Sequence, residues 1–361
     1  MTKIHLIVLI AVLLAVQAVT IGSAFATDGS TLYSETIPAN TTSSVALDKA
    51  RQLTRALRVS AMKVRDVQSL CLENASQLEQ LRQLGADAIP ACLDEIADKT
   101  SPASLRILLI EIAAVPNGHN DLGLGQTLMV IIGDATGAKA VRMQALQWIP
   151  AVGDQSAGVT LLQMLPGQTD PDLEFGVTRA LRGFKVPGSL GALQGELADK
   201  KTYLTRIVAA HAVAAQGGDD ALRLLQDFLV VRMAKSNLGA RPEEDAVSIH
   251  GIMALGEVPS VTSLPLLQSV LNNPNNSVSL RNTAAETIGA IGGPEASRIL
   301  RESMAQETNE SVLVYVARGL ARCGDTEDAQ LCLNRRATVN DDFVKSELEN
   351  AAQALQVKVK E

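Results

Sequence analysis

The chain runs to 361 residues with 32 basic and 39 acidic side chains, a formal net charge of −7, and an apolar fraction of 47%. Five Phe, three Tyr and one Trp leave few platforms on which bases or sugars could stack, and no basic tract offers a footprint for a phosphate backbone. Nucleic acid is therefore a poor partner class and carbohydrate a weak one.

At the amino terminus Lys3 precedes an apolar stretch from Ile4 to Val16 and a small-residue site, Ala24-Phe25-Ala26. This is the pattern of a secretory signal, residues 1–26, cleaved after Ala26. Gln17, Thr20, Gly22 and Ser23 break the apolar run where a retained anchor would continue it. The expected localisation is secreted or periplasmic, and the remaining chain is expected not to span a membrane. Residues 27–46, with Thr41-Thr42-Ser43-Ser44, hold no periodic apolar face and read as a flexible leader. Residues 47–73 then read as a basic amphipathic capping helix, its stripe formed by Leu47, Ala50, Leu53, Leu57, Ala61, Val64 and Val67. Its other faces carry Lys49, Arg51, Arg55, Arg58, Lys63 and Arg65 against Asp48 and Asp66. The plain reading is a solvated cap; the sharper one is a weak contact of residues 47–70 with an acidic partner or an anionic surface.

From residue 74 to residue 336 one unit recurs, with reference positions at Gly85, Asn117, Gly153, Gly188, Gly217, Gly256, Gly292 and Gly324. The intervals of 29 to 39 residues suit one helix pair per unit. Seven positions earlier stand Leu78, Ile110, Leu146, Leu181, Ala210, Ile249, Ala285 and Ala317. Four earlier stand Leu81, Ala113, Ile149, Phe184, Val213, Ile252, Ile288 and Leu320. Six earlier stand only polar residues, Glu79, Glu111, Gln147, Arg182, His211, His250, Glu286 and Arg318. Helical geometry turns these into a buried seam and a wet ridge. Gly or Asn at the reference position permits the left-handed turn that ends a helix. Acids at Asp154, Asp219, Glu257, Glu295 and Asp325 then suit the start of the second helix. Residues 337–361 read as a C-terminal capping helix and tail.

Arg142-x-x-Ala145, Arg206-x-x-Ala209 and Arg281-x-x-Ala284, each eleven residues before its Gly, resemble HEAT repeats of the short kind found in phycobilisome lyases. The resemblance covers about Asn74 to Arg336 and implies an all-α fold, an alpha-alpha superhelix of about eight HEAT-like helix pairs. It also implies that the Arg braces one repeat against the next. That position holds Arg106, Arg142, Arg206 and Arg281, but Asn74, Val177, Asp245 and Leu313 in the other units. The likeness is to the scaffold, so lyase activity does not come with it.

The four cysteines, in a chain expected to be exported, suggest disulfides joining Cys71 to Cys92 and Cys323 to Cys332. The alternative for Cys323 and Cys332 is a pair of small core residues, in columns held elsewhere by Leu255 or Ile291 and by Leu161 or Leu225. His211 and His250 share a column in adjacent repeats, so a metal site with Glu286 is the alternative to a solvated ridge; His119 stands apart. No grouping of nucleophile, base and acid follows from the register, and no cofactor motif is present, so no enzyme is expected. A longer connection, residues 234–244, separates two repeats. The expected function is an exported protein-interaction scaffold whose second helices line a concave face and grip a protein or peptide segment. Gln126, Gln163, Arg223, Gln226, Arg298 and Arg301 are the groove candidates. The alternative function is a metal-binding protein or enzyme using His211, His250 and Glu286.

Overall fold

The computed structural model describes residues 44–64, 66–115, 122–234 and 241–357. The signal segment, Asn117, His119 and the tip of the long connection lie outside the described residues. Among the described residues every regular element is a helix. The chain begins with α1 (Ser44–Ala61) and α2 (Val67–Glu73), so the stripe expected to run on as one helix is broken in two. The break has a local cause: Asp66 accepts the Ser69 amide at 2.8 Å and so starts a new helix with its own cap.

Eight pairs follow. They are α3 (Ala75–Gln83) with α4 (Ile89–Ala97), α5 (Ala103–Ala114) with α6 (Leu122–Gly133), α7 (Lys139–Val152) with α8 (Gln155–Met164), and α9 (Pro171–Leu181) with α10 (Leu190–Glu196). Then come α11 (Tyr203–Gln216) with α12 (Gly218–Met233), α13 (Pro242–Glu257) with α14 (Leu264–Asn272), α15 (Val278–Ile291) with α16 (Gly293–Gln306), and α17 (Glu310–Cys323) with α18 (Glu327–Arg336). A last helix, α19 (Asp342–Val357), closes the array and buries Val344, Leu348, Ala351, Ala352 and Leu355. From α5 onward each first helix packs on the next first helix, through to α19, and each second helix packs on the first helix of the following pair. Two stripes that one pair could not bury are thereby buried by stacking.

The column four residues before each turn is the axis of the core, with no member more than 3% exposed. The column seven before is buried as well, except that Ile249 is half-buried. At the turns, Gly85, Gly188, Gly217 and Gly292 take the left-handed conformation, with φ of 54°, 76°, 68° and 73°. Gly153 and Gly324 do not, at −85° and −77°, and Gly256 lies inside α13. At Gly153 the requirement is room, because a Cβ there would stand 2.8 Å from the Ile149 carbonyl oxygen. Asp154 caps α8 as expected, accepting the Ser156 and Ala157 amides at 2.9 and 3.2 Å. Glu257 instead ends α13, which puts its carboxylate to another use.

Candidate functional site

The second-helix row is less even than the first. Helix α4 packs on α6, and α10, α12, α14, α16 and α18 follow one another in contact, but α8 packs less closely on both α6 and α10. At Gly125 the α6 backbone lies so close to the end of α7 that a Cβ would sit 2.7 Å from the Val152 carbonyl oxygen. The result is a crevice of about 400 Å³ between α6 and α8, lined on one side by Gln126, Met129 and Val130 and on the other by Ser156 and Thr160. Val130 is 71% exposed at its mouth. Neither α6 nor α8 contains a charged residue, and the Asp154 carboxylate at the crevice floor is occupied in capping α8.

The six groove candidates divide evenly. Gln126, Gln163 and Arg223 are exposed, Arg223 with only a long 3.9 Å approach to Asp220. The other three are tied into the array. Gln226 donates to Thr262 and Ser263 ahead of α14 at 3.1 and 3.0 Å, and Arg301 binds Asp325 at 2.6 Å and Asp328 at 2.5 Å in the next pair. Arg298 is held between Glu295 and Glu302 of its own helix. The partners of Gln226 and Arg301 come from the neighbouring repeat, which a register count along one helix does not reveal.

On the first-helix row, His211 of α11 and His250 of α13 meet, with His211 Nε2 3.0 Å from His250 Nδ1 and the rings edge to face. His211 Nδ1 lies 2.7 Å from Glu257, which also accepts from Arg182 at 3.0 Å. A carboxylate only accepts, so His211 donates from Nδ1. His211 is 7% exposed, so at this point the ridge expected to be wet is a half-buried brace across three repeats. The reason is the close approach of α11 and α13, which leaves no solvent between the two rings. Burial first, and the neighbouring imidazole second, push His250 down to about 4. Glu286 is elsewhere, bound to Arg322 at 3.1 Å, so the ligand set of His211, His250 and Glu286 does not assemble. Among the described residues no three His, Cys, Asp or Glu side chains gather in a way that could hold a metal ion.

A family model of HEAT repeats matches residues 238–321, which span α13 to α17. The array is HEAT-like. Among solved structures, human deoxyhypusine hydroxylase in complex with glycerol is similar at 19% identity and a TM-score of 0.31, over 76% of this chain and 96% of that one. The complex of CpcE and CpcF of phycocyanin lyase from Nostoc sp. PCC7120 is similar at 17% identity and a TM-score of 0.41, over 74% and 94%. No curated protein matches the chain.

In this HEAT-like array the recurring Arg acts as the resemblance implies, by one repeated bond. Nε of Arg106, Arg142 and Arg281 donates to the carbonyl oxygens of Ile96, Ile132 and Leu271 at 2.8, 3.1 and 2.7 Å. In each case the acceptor is the penultimate residue of the preceding second helix, so the guanidinium caps a helix C-terminus. Arg206 departs from this. It binds Glu244 at 2.5 Å, and Glu244 also accepts from Arg232 at 2.9 Å. Arg206 and Arg232 are 3% and 1% exposed, and hydrogen bonds from both hold the Glu244 carboxyl down at about 2. Arg232 and Glu244 were not singled out by sequence; the only signal was the acidic run Glu243-Glu244-Asp245 opening α13.

The expected disulfides are absent: no bond joins Cys71, Cys92, Cys323 or Cys332. Helices α2 and α4, which carry Cys71 and the fully buried Cys92, both pack on α1 and α5, and the two cysteines remain unbonded. Cys323 is the last residue of α17, while Cys332 is the sixth residue of α18, roughly 8 Å further along that helix axis. Cys332 fills a core position, in line with the alternative reading.

Proposed function

We propose that the chain is an exported, non-catalytic scaffold that holds a segment of another protein along its second-helix face. The observation that carries this is the crevice between α6 and α8, two helices that bear no charged side chain. Exposed Gln126 and Gln163 beside it offer amide groups that can both donate to and accept from an extended backbone. Arg223 extends the same face toward the C-terminal repeats. Export is supported by the apolar run Ile4 to Val16 and the Ala24-Phe25-Ala26 site.

A photo-crosslinking residue placed in living cells at Gln126, Gln163 or Arg223 tests this against controls at Glu111 and Gln147, which are exposed on the first-helix row. One partner captured at the three second-helix positions and not at the controls is the expected result. Adducts that are absent, or equal on the two rows, overturn the proposal.

A further inference from the structure

We infer that the outward face of α1 is a docking surface for an anionic lipid bilayer. This does not depend on the second-helix reading. Residues 44–73 hold six Lys and Arg against three Asp and Glu, in a chain whose net charge is −7, so the amino-terminal cap is opposite in sign to the rest. The cations have been sorted by the fold. Arg51 and Arg58 turn inward to α4 and its end, Arg58 meeting Glu95 and Asp98 at 3.1 and 2.7 Å and Arg51 approaching Asp94 at 3.9 Å. Lys49, Arg55 and Lys63 are exposed and form no ion pair among the described residues. Asp48 is the one acid of α1.

The same face carries large apolar side chains in water. Val45 is 76% exposed, Val59 56% and Met62 64%. Val45, Lys49, Gln52, Arg55, Val59 and Met62 follow at spacings of three and four, which places them along one side of the helix, opposite the buried Ala50, Leu53, Leu57 and Ala61. The surface is therefore a ridge of apolar tips interleaved with unpaired cations, built on a single helix. A protein partner would need a groove of its own to cover such a ridge, whereas a bilayer interface takes the tips at its acyl boundary while Lys and Arg stretch to the headgroups. Headgroups of negative charge supply the counterions that the fold has left out.

Flotation of the full chain with vesicles of phosphatidylcholine alone or mixed with phosphatidylglycerol reads this directly. An apolar amino terminus would bind both vesicle types alike, so the readout is the ratio between them. The expected ratio is about tenfold in favour of the anionic vesicles, falling toward one as salt rises from ~0.1 M to ~0.5 M. The combined variant Lys49→Glu, Arg55→Glu, Lys63→Glu should abolish the preference, and Val59→Ser with Met62→Ser should weaken binding at unchanged charge. All five positions are exposed, so helix content and melting should hold. A ratio near one for the native chain, or one unmoved by charge reversal, overturns the assignment. So does capture of soluble polyglutamate as tight as that of anionic vesicles, which would make the face a site for acidic polypeptides.

Discussion

Half-buried between two helices and against a second imidazole, His250 loses its proton more readily than a free histidine does. In the folded chain it titrates at about 4 instead of the ordinary 6.5. Between those pH values the unfolded chain holds a proton that the folded chain does not, so stability falls as pH drops through that window. From pH 7.5 to pH 5 the expected loss is about 2 kcal/mol from this group. His250→Gln should lose that much less over the same interval, as read from urea midpoints at the two pH values; parallel losses in both proteins would refute the assignment. The pairing of His211 with His250 was legible in sequence, because both stand six residues before a turn. The third member was not, because α13 runs one residue past Gly256 and keeps Glu257 within reach of His211 and Arg182.

Single helices were legible from their periods, and their contacts depend on the smallest residues in them. Gly289 of α15 and Gly319 of α17 bring two backbones together, and a Cβ on Gly289 would stand 2.5 Å from the Gly319 Cα. No side chain can move aside there. Gly289→Ala is therefore expected to destabilise by about 1–3 kcal/mol through forced separation of the two helices. At Gly256, inside α13, the nearest atom is a Thr287 methyl at 3.4 Å. Gly256→Ala should be neutral or stabilising by up to about 1 kcal/mol, since Ala is the better helix former. Thermal melts of the two variants check the contrast in sign. The disulfide expectation failed at this same scale. Proximity along the chain stood in for distance in space, and Cys332 sits too far along α18 to meet the end of α17.

An array of stacked pairs is only as cooperative as its weakest junction, and the longest interval between units, the 39 residues from Gly217 to Gly256, includes the connection between α12 and α13. One carboxylate secures it. Glu244 neutralises Arg206 from α11 and Arg232 from α12, both almost wholly buried. Glu244→Gln should cost about 3 kcal/mol, because it leaves the buried Arg232 without its carboxylate partner and Arg206 with Asp199 alone, at 3.3 Å. Chemical denaturation measures this, and a loss below about 1 kcal/mol would show that the pair of cations finds relief elsewhere. The superhelix itself could be read from sequence, since the seam columns repeat in every unit. The proposed binding face could be read only in part: Gln126 and Gln163 are exposed, while Arg301 and Gln226 are claimed by residues of the following repeat.

The Arg bond to a carbonyl ten residues earlier has a practical corollary for anyone wishing to splice foreign sequence into this protein. Where that staple exists, the spacer from one unit to the next has a set measure, and adding residues would pull the cap off its helix. The natural lengthening at 234–244 falls where Asp245 occupies the Arg column. The stretch ahead of Pro242, which leaves Glu244 and its bonds to Arg206 and Arg232 in place, is the permissive port for a tag or a grafted loop, and the stapled junctions should be left alone.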